Sequence, residues 1–207
     1  MKILLSILLD ELFKELEKTD SPVASLLQSG LSEVQIEEGL RAKGITLLLP
    51  KDVFDLYAWK NGLKHEIIDA KSIGAIRLFG LGIFPSFDDA IESYYYYAIK
   101  NKYWDCNLFP LFESGGGDFY LIDCSQDSPT YKMILFFSLV DPIVSNGVKT
   151  KFDSLLALIQ SMLECYQKKI YWYNNSGGGF LEMNYELQLE VFIKNNPRSD
   201  YWKAVFQ

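Results

Sequence analysis

The chain has 207 residues, of which 49% are hydrophobic and 15% aromatic, and its formal net charge is −7 at pH 7. A chain of this length can bury roughly 70% of its extended surface, so one domain can fold without a metal or a disulfide. The acidic balance argues against nucleic acid as a partner, because binding to phosphates requires clustered Lys and Arg, and it favours a basic protein instead.

The first segment, from Lys2 to Glu17, combines an apolar run with charged residues. Leucines recur there at positions 5, 8, 9, 12 and 16, which predicts an amphipathic helix. The apolar run is not followed by a signal-peptide cleavage site, and no run reaches the ~18 apolar residues of a membrane span. The odd number of cysteines (Cys106, Cys124 and Cys165) is typical of buried thiols in a reducing compartment. We therefore expect a cytoplasmic protein that does not enter a membrane.

Two further helices are predicted before residue 63. Ser32 is positioned to cap the first of them, which Gly44 ends. The second covers Lys51–Trp59 and ends at Asn61 and Gly62, since both residue types tolerate the left-handed conformation.

The next segments alternate between strands and short helices. The sequence of residues 75–79 predicts a strand. Ser86 and the two acids that follow Phe87 predict a capped helix that reaches about Lys100. Residues 108–112 predict a short strand at a sheet edge, because the segment contains a proline.

A glycine triplet, Gly115, Gly116 and Gly117, leads into the clearest strand. That strand, residues 118–123, is apolar on both faces, which predicts a central position covered on both sides. A short polar link joins it to residues 131–138 and predicts a hairpin.

The last third of the chain is predicted to be mainly helical. Thr150 and Asp153 indicate the start of one helix. Residues 174–179 are predicted to be a loose loop. A final helical pattern starts near Leu181 and stops before Pro197.

Candidate catalytic groups are few. His65 is the only histidine, and after a predicted helix end its ordinary interpretation is an exposed surface residue. The cysteines and His65 lack the spacing of a zinc site, so we expect no metal and no cofactor.

The glycine triplet is not a phosphate-binding loop, because Asp118 follows it instead of a lysine. We expect Asp118 to cap the glycine turn. Asp118 and Asp123 lie five residues apart on one strand, so their side chains point to opposite faces.

Aromatic residues are the candidate contacts with a partner. Four consecutive tyrosines at positions 94–97 point around a predicted helix, so at least one faces the surface, where tyrosine suits binding. Packing within the chain is the competing interpretation for every candidate. The candidate partner contacts are Tyr95, Tyr96, Tyr103, Trp104 and Trp172.

Several of these segments occur in an order that resembles the SUKH superfamily, the Smi/Knr type of domain. The motifs are Leu49-Pro50, Leu56-Tyr57 with Asn61-Gly62, Pro85-Ser86-Phe87-Asp88-Asp89-Ala90, the glycine triplet with its strand, and Phe152-Asp153-Ser154-Leu155-Leu156. The resemblance covers residues 32–166 and implies an α+β fold, with a mixed or antiparallel central sheet flanked by helices. We expect one domain over residues 1–207, with helical N-terminal and C-terminal extensions. The residues expected to define the fold are Pro50, Asn61, Gly62, Gly115, Gly116, Gly117, Asp118 and Asp123.

The resemblance also implies a protein-binding function without catalytic residues. In bacteria many such domains look like immunity proteins that bind and block a toxin, whereas the fungal relatives are interaction hubs. The expected function is an immunity protein that neutralises a bacterial toxin, and a regulatory adaptor is the alternative. An enzyme that uses scattered carboxylates, such as Asp118 and Asp123, is the third hypothesis and ranks last.

Overall fold

The computed structural model describes residues 2–144 and 147–205 and confirms the α+β fold. A four-stranded antiparallel sheet and a two-stranded hairpin are flanked by helices. The helices are α1 (Lys2–Lys18), α2 (Val23–Leu26), α3 (Glu33–Ala42), α4 (Lys51–Trp59), α5 (His65–Ala70), α6 (Phe87–Tyr94), α7 (Leu155–Gln167), α8 (Tyr185–Asn195) and α9 (Asp200–Ala204). The strands are β1 (Leu108–Glu113), β2 (Phe119–Asp123), β3 (Ile134–Phe137), β4 (Val148–Phe152), β5 (Tyr171–Asn174) and β6 (Phe180–Met183).

The sheet has the order β1-β2-β3-β4, so β1 is an edge strand and β2 an inner one, as predicted. All residues of β2 are buried. The rings of Tyr97 and Trp104 lie 4.7 and 5.0 Å from that of Phe119, and the ring of Phe79 lies 5.1 Å from that of Tyr120. Because neighbouring residues of a strand point to opposite faces, these contacts cover the sheet on both sides.

The predicted N-terminal helix and helix caps are present. The leucines of α1 at positions 5, 9, 12 and 16 are buried, and α1 packs on α4 and α7. The Ser32 hydroxyl accepts the Gln35 N–H (3.3 Å), while the Gln35 side chain accepts the Ser32 N–H (2.8 Å). The Ser86 hydroxyl accepts the Asp89 N–H in the same way (3.1 Å). Each cap satisfies an orphan donor at a helix start.

Asn61 and Gly62 connect the end of α4 to the start of α6. The Asn61 side chain accepts the backbone N–H of Phe87 (2.9 Å). Gly62 has φ +59°, and a Cβ there would lie 2.0 Å from the carbonyl oxygen of Pro85. Pro50 occupies the N-cap position of α4. These residues therefore hold two helices in register through backbone contacts that a larger side chain would block.

The glycine turn before β2 is capped by a residue that the sequence analysis overlooked. The Ser114 hydroxyl accepts the N–H groups of Gly116 (3.0 Å) and Asp118 (3.2 Å), while Gly115 and Gly117 have φ +73° and +96°. The prediction that Asp118 caps this turn was therefore wrong, because Asp118 contributes its backbone donor.

The side chain of Asp123 closes the hairpin between β2 and β3. Its carboxylate accepts the Thr130 hydroxyl (2.7 Å) and the Ser125 N–H (2.9 Å). Asp123 is buried, so these two hydrogen bonds replace the water that its carboxylate loses.

The predicted strand at residues 75–79 was wrong. Ile73–Ile76 form a 3₁₀ turn. The N–H groups of Leu78 and Phe79 donate to the carbonyl of Gly82 (2.7 and 3.4 Å). The chain thus folds back within four residues, and this tight turn satisfies the backbone groups that a neighbouring strand would otherwise pair.

Two further corrections concern the C-terminal part. Thr150 lies in β4 and does not cap α7; Ser154 caps α7 by accepting the Ala157 N–H (3.1 Å). The predicted loose loop at residues 174–179 is the turn of the hairpin β5–β6, which also contains Leu181. All three strands were missed, because β4 carries two lysines and the turn of the hairpin β5–β6 is rich in glycine.

Candidate functional site

The tyrosine run lies on an unusual helical turn. After α6 the chain continues as a π-helix over Tyr95–Lys100, a rare turn that often occurs at functional sites. The buried Tyr94 donates its hydroxyl to the carbonyl of Cys106 (2.6 Å). Tyr97 stacks on Trp104, with centroids 5.2 Å apart. Tyr95 and Tyr96 remain 45% and 49% exposed.

This turn forms one wall of a groove of about 530 Å³, which we call the tyrosine groove. Tyr95 and Ile99 line that wall, residues 43–48 line the opposite one, and Cys106 lies between them. Leu48 is 76% exposed in the opposite wall. Large apolar side chains that are exposed around one concave surface indicate a contact surface rather than a core.

The structure brings together two of the five predicted contact residues, Tyr96 and Tyr103. The ring of Tyr97 lies 5.0 Å from that of Tyr96 and 5.7 Å from that of Tyr103, and Tyr103 is 48% exposed. Tyr95, a third predicted contact residue, lines the groove itself.

The other two predicted contact residues lie elsewhere. Trp104 is only 6% exposed and donates its indole N–H to the carbonyl of Leu108 (3.1 Å). It packs against Phe119 and Phe137 in the core, so it is not available to a partner. Trp172 is 43% exposed on β5, outside the lining of the groove.

Leu48 and Ile99 were not predicted as contact residues. The run Leu47-Leu48-Leu49 indicates an exposed leucine, because three consecutive leucines before a helix cannot all face one core. The π-helical turn that exposes Ile99 has no comparable sequence signal.

One ion pair links the helices beside the groove. Lys43, after α3, pairs with Glu92 of α6. The hydrogen bond to Glu92 raises the pKa of Lys43. Both side chains are exposed, so this pair orients the wall of the groove more than it stabilises the fold.

The three cysteines differ in accessibility, which gives a simple test of the groove. Cys106 is exposed, whereas Cys124 and Cys165 are buried, and burial raises the pKa of each buried thiol to about 12. Because the thiolate is the reactive form, we expect a maleimide to modify one thiol rapidly in the native protein and three in urea. Mass spectrometry of the labelled peptides should identify Cys106; rapid native labelling of Cys165 would contradict this packing.

His65 lies on the surface, as expected, beside a serine and two carboxylates. Its Nδ1 is 3.4 Å from Asp89 and its Nε2 is 3.4 Å from Asp69. The Ser86 hydroxyl donates to Asp89 (2.5 Å). Ser86 and His65 therefore contact the same carboxylate instead of each other, which is not the nucleophile–base geometry of a catalytic triad.

The described residues hold neither a candidate metal cluster nor a membrane-spanning helix. Residues 2–144 and 147–205 hold no group of three or more His, Cys, Asp or Glu that could bind a metal. In the same residues no helix is long and apolar enough to cross a bilayer.

Comparison with known proteins gives one match. The family model of the SMI1 / KNR4 family (SUKH-1) matches residues 30–164, more than half of the chain. The match spans α3 to β4 and most of α7, and it includes the whole tyrosine groove. It leaves out α1, α2 and the elements from β5 to α9. No curated protein matches the chain.

Proposed function

The chain belongs to the SMI1 / KNR4 family (SUKH-1), and from this premise we propose that it is a non-catalytic binding protein. Its proposed role is that of an immunity protein, which neutralises a bacterial toxin by direct binding at the tyrosine groove. The observation that carries the proposal is the exposed Tyr95 in the lining of a groove of about 530 Å³, with Tyr96 of the same π-helical turn and Tyr103 also exposed.

The chemistry of the groove suits a protein partner. Tyrosine provides a large contact area at low entropic cost and is enriched at interfaces. The tyrosines are held on a supported scaffold, because Tyr97 packs on both Trp104 and Phe119. A preorganised aromatic surface loses little entropy on association.

The charge of the chain supports a basic partner. The formal net charge of −7 attracts a positively charged domain and repels nucleic acid. Complementary charge accelerates association. The attraction weakens in salt, because mobile ions screen the charges. A toxin domain that acts on nucleic acid would be basic, and it would be inhibited by occlusion of its active site.

The alternative is a regulatory adaptor that joins cellular proteins through the same groove. The two proposals differ in the number of partners and in the effect of binding. An immunity protein has one dominant partner whose toxicity it abolishes, whereas an adaptor has several partners of moderate affinity and inhibits none of them.

The test starts with affinity purification of the tagged chain from its native cells at low and high salt. We expect one dominant, salt-sensitive partner that is toxic when expressed alone and harmless when expressed with the chain. Several partners without toxicity would favour the adaptor. A toxin whose activity continues in the stoichiometric complex would contradict neutralisation.

Substitutions then locate the binding face. We expect Tyr95→Ala and Tyr96→Ala each to weaken binding of that partner by about tenfold, and the double variant by about 100-fold, as for aromatic hot spots. Trp172→Ala is the matched control, because Trp172 is similarly exposed but lies on β5 instead of the π-helical turn. Bound partner should also protect Cys106 from the maleimide. Unchanged affinity in the double variant would exclude the groove.

A further inference from the structure

An irregularity in β4 turns a lysine into the core. Phe152 pairs with Ile134 and Thr150 with Leu135, so Lys151 has no residue opposite it on β3. This is a β-bulge, a feature that redirects a side chain and is common next to functional sites. Thr150, Lys151 and Phe152 are consequently all buried.

The amine of Lys151 lies among aromatic rings. Its Nζ is 3.4 Å from the ring centroid of Phe136, 3.9 Å from that of Tyr201, and 5.2 Å from those of Tyr120 and Trp202. Ring faces stabilise an ammonium. They do not accept its hydrogen bonds as oxygen atoms do, and a buried charge without such bonds is costly.

No oxygen of the described residues accepts a hydrogen bond from this amine. Lys151 is only 5% exposed, and within residues 2–144 and 147–205 its Nζ makes neither a hydrogen bond nor an ion pair. Asp141 favours the ammonium through its charge, but its carboxylate accepts the Tyr201 hydroxyl (2.7 Å). The hydrogen-bonding capacity of the amine is therefore available to a ligand.

Lys151 lines a cavity of about 280 Å³, which we call the lysine pocket. One side of the pocket comes from residues that the family model matches, among them Phe79, Tyr120 and Lys151. The remaining wall comes from the C-terminal elements that the match leaves out: Met183, Tyr185, Gln188, Phe192, Tyr201 and Trp202. The pocket is thus created where the C-terminal extension packs on the family domain.

Gln188 supplies a second donor in the lining of the pocket. Its side-chain oxygen accepts the Tyr171 hydroxyl (2.7 Å), which leaves its amide N–H₂ as a donor. The pocket therefore combines an apolar aromatic wall with two hydrogen-bond donors.

We propose that the lysine pocket binds a small organic carboxylate with an apolar body, whose oxygens accept hydrogen bonds from Lys151 and Gln188. The apolar body would replace water against the aromatic wall. A single negative charge matches the single ammonium, whereas a phosphate dianion would leave a buried charge uncompensated. The volume corresponds to a ligand on the order of ten non-hydrogen atoms, near the lower limit for small-molecule sites.

The proposal has a pH signature, because Lys151 must be protonated to pair with the carboxylate. Burial lowers the pKa of Lys151 to about 7, against the opposing effects of Asp141 and Asp118. Burial also raises the pKa of Tyr120 and Tyr201, which keeps both rings neutral. The titratable groups on the surrounding elements are Arg77, Asp118, Tyr120, Asp141, Tyr185, Asp200 and Tyr201.

The sign of the pH effect follows from linkage. Below about pH 7 the amine is protonated in the free protein and binding is strongest. Above pH 7 the carboxylate must recruit a proton, so the affinity falls by about tenfold per pH unit. The decline ends at the higher pKa that Lys151 has in the complex.

The test is calorimetric titration of the full chain with 3-phenylpropionate at pH 6 and pH 8. We expect saturable binding at pH 6 that is about tenfold weaker at pH 8. The neutral amide of the same acid should bind at least tenfold more weakly at pH 6. Absence of saturation at 10 mM carboxylate, roughly the weakest affinity that a site of this kind gives, or equal binding of the amide, would overturn the proposal.

A variant connects the binding to this amine. Lys151→Met should abolish binding of the carboxylate. Lys149→Met is the control, since Lys149 is on the same strand but does not line the pocket. Binding that is unchanged in Lys151→Met would overturn the proposal. If a variant fails to fold, the pH dependence of carboxylate binding to the unmodified chain still tests the proposal.

Discussion

Replacement of Gly62 by alanine is expected to lower the free energy of unfolding by more than about 4 kcal/mol, which places it among the most damaging single substitutions. The new Cβ would lie 2.0 Å from the carbonyl oxygen of Pro85 and 2.7 Å from that of Phe84. The two chain segments in this contact cannot easily move apart. The Leu63 N–H donates to the carbonyl of Phe84 (2.8 Å), and the side chain of Asn61 accepts the N–H of Phe87. Relief of the clash therefore separates α4 from α6.

Gly44→Ala is the matched control for this experiment. Gly44 has φ +66°, close to the +59° of Gly62, but a Cβ at Gly44 meets no atom within 4 Å. Its substitution should cost only the backbone strain of about 1–2 kcal/mol. Urea unfolding followed by circular dichroism compares the two variants. Equal losses would show that conformation alone, and not close approach, requires glycine at position 62.

Lys151→Met is expected to have the opposite effect and to stabilise the protein by about 3 kcal/mol at pH 6, because it removes a buried charge and keeps most of the volume. The pKa of Lys151 falls from its ordinary 10.5 to about 7 on folding. Between these two values the unfolded chain binds more protons than the native one, so the stability of the unmodified protein increases with pH in that window. The difference in the free energy of unfolding between Lys151→Met and the unmodified protein should therefore decrease by about 1.4 kcal/mol per pH unit above pH 7.

Urea unfolding of the unmodified chain, Lys151→Met and Lys149→Met at pH 6, 7.5 and 9 measures this effect. Only Lys151→Met should flatten the pH dependence. A destabilised Lys151→Met protein, or a difference that does not change with pH, would show that the ring contacts compensate the buried ammonium fully. Gain of stability together with loss of carboxylate binding would identify Lys151 as a residue retained for function at a cost in stability.

The tyrosine groove and the lysine pocket are formed by different parts of the chain. The groove is built entirely within residues 30–164, whereas the pocket requires α8 and α9. Their tests are independent: a carboxylate ligand can be present or absent whichever protein occupies the groove.

Local interactions made much of the fold predictable from the sequence. The leucine spacing of α1, the caps at Ser32 and Ser86, and the apolar β2 after its glycines depend on residues within one or two turns of each other. The exposure of Tyr95 and Tyr96 was likewise predictable, because four consecutive tyrosines on a helical segment cannot all face the core.

Only the tertiary structure decided the features that depend on distant partners. Trp104 is buried because Phe119 and Phe137 receive its ring. The groove exists because residues 43–48 lie opposite the π-helical turn. Lys151 is buried because its strand has one residue more than β3 can pair, and because α9 places Tyr201 and Trp202 over the bulge. Register and the packing of distant elements set these positions, and neither leaves a periodic signal in the chain.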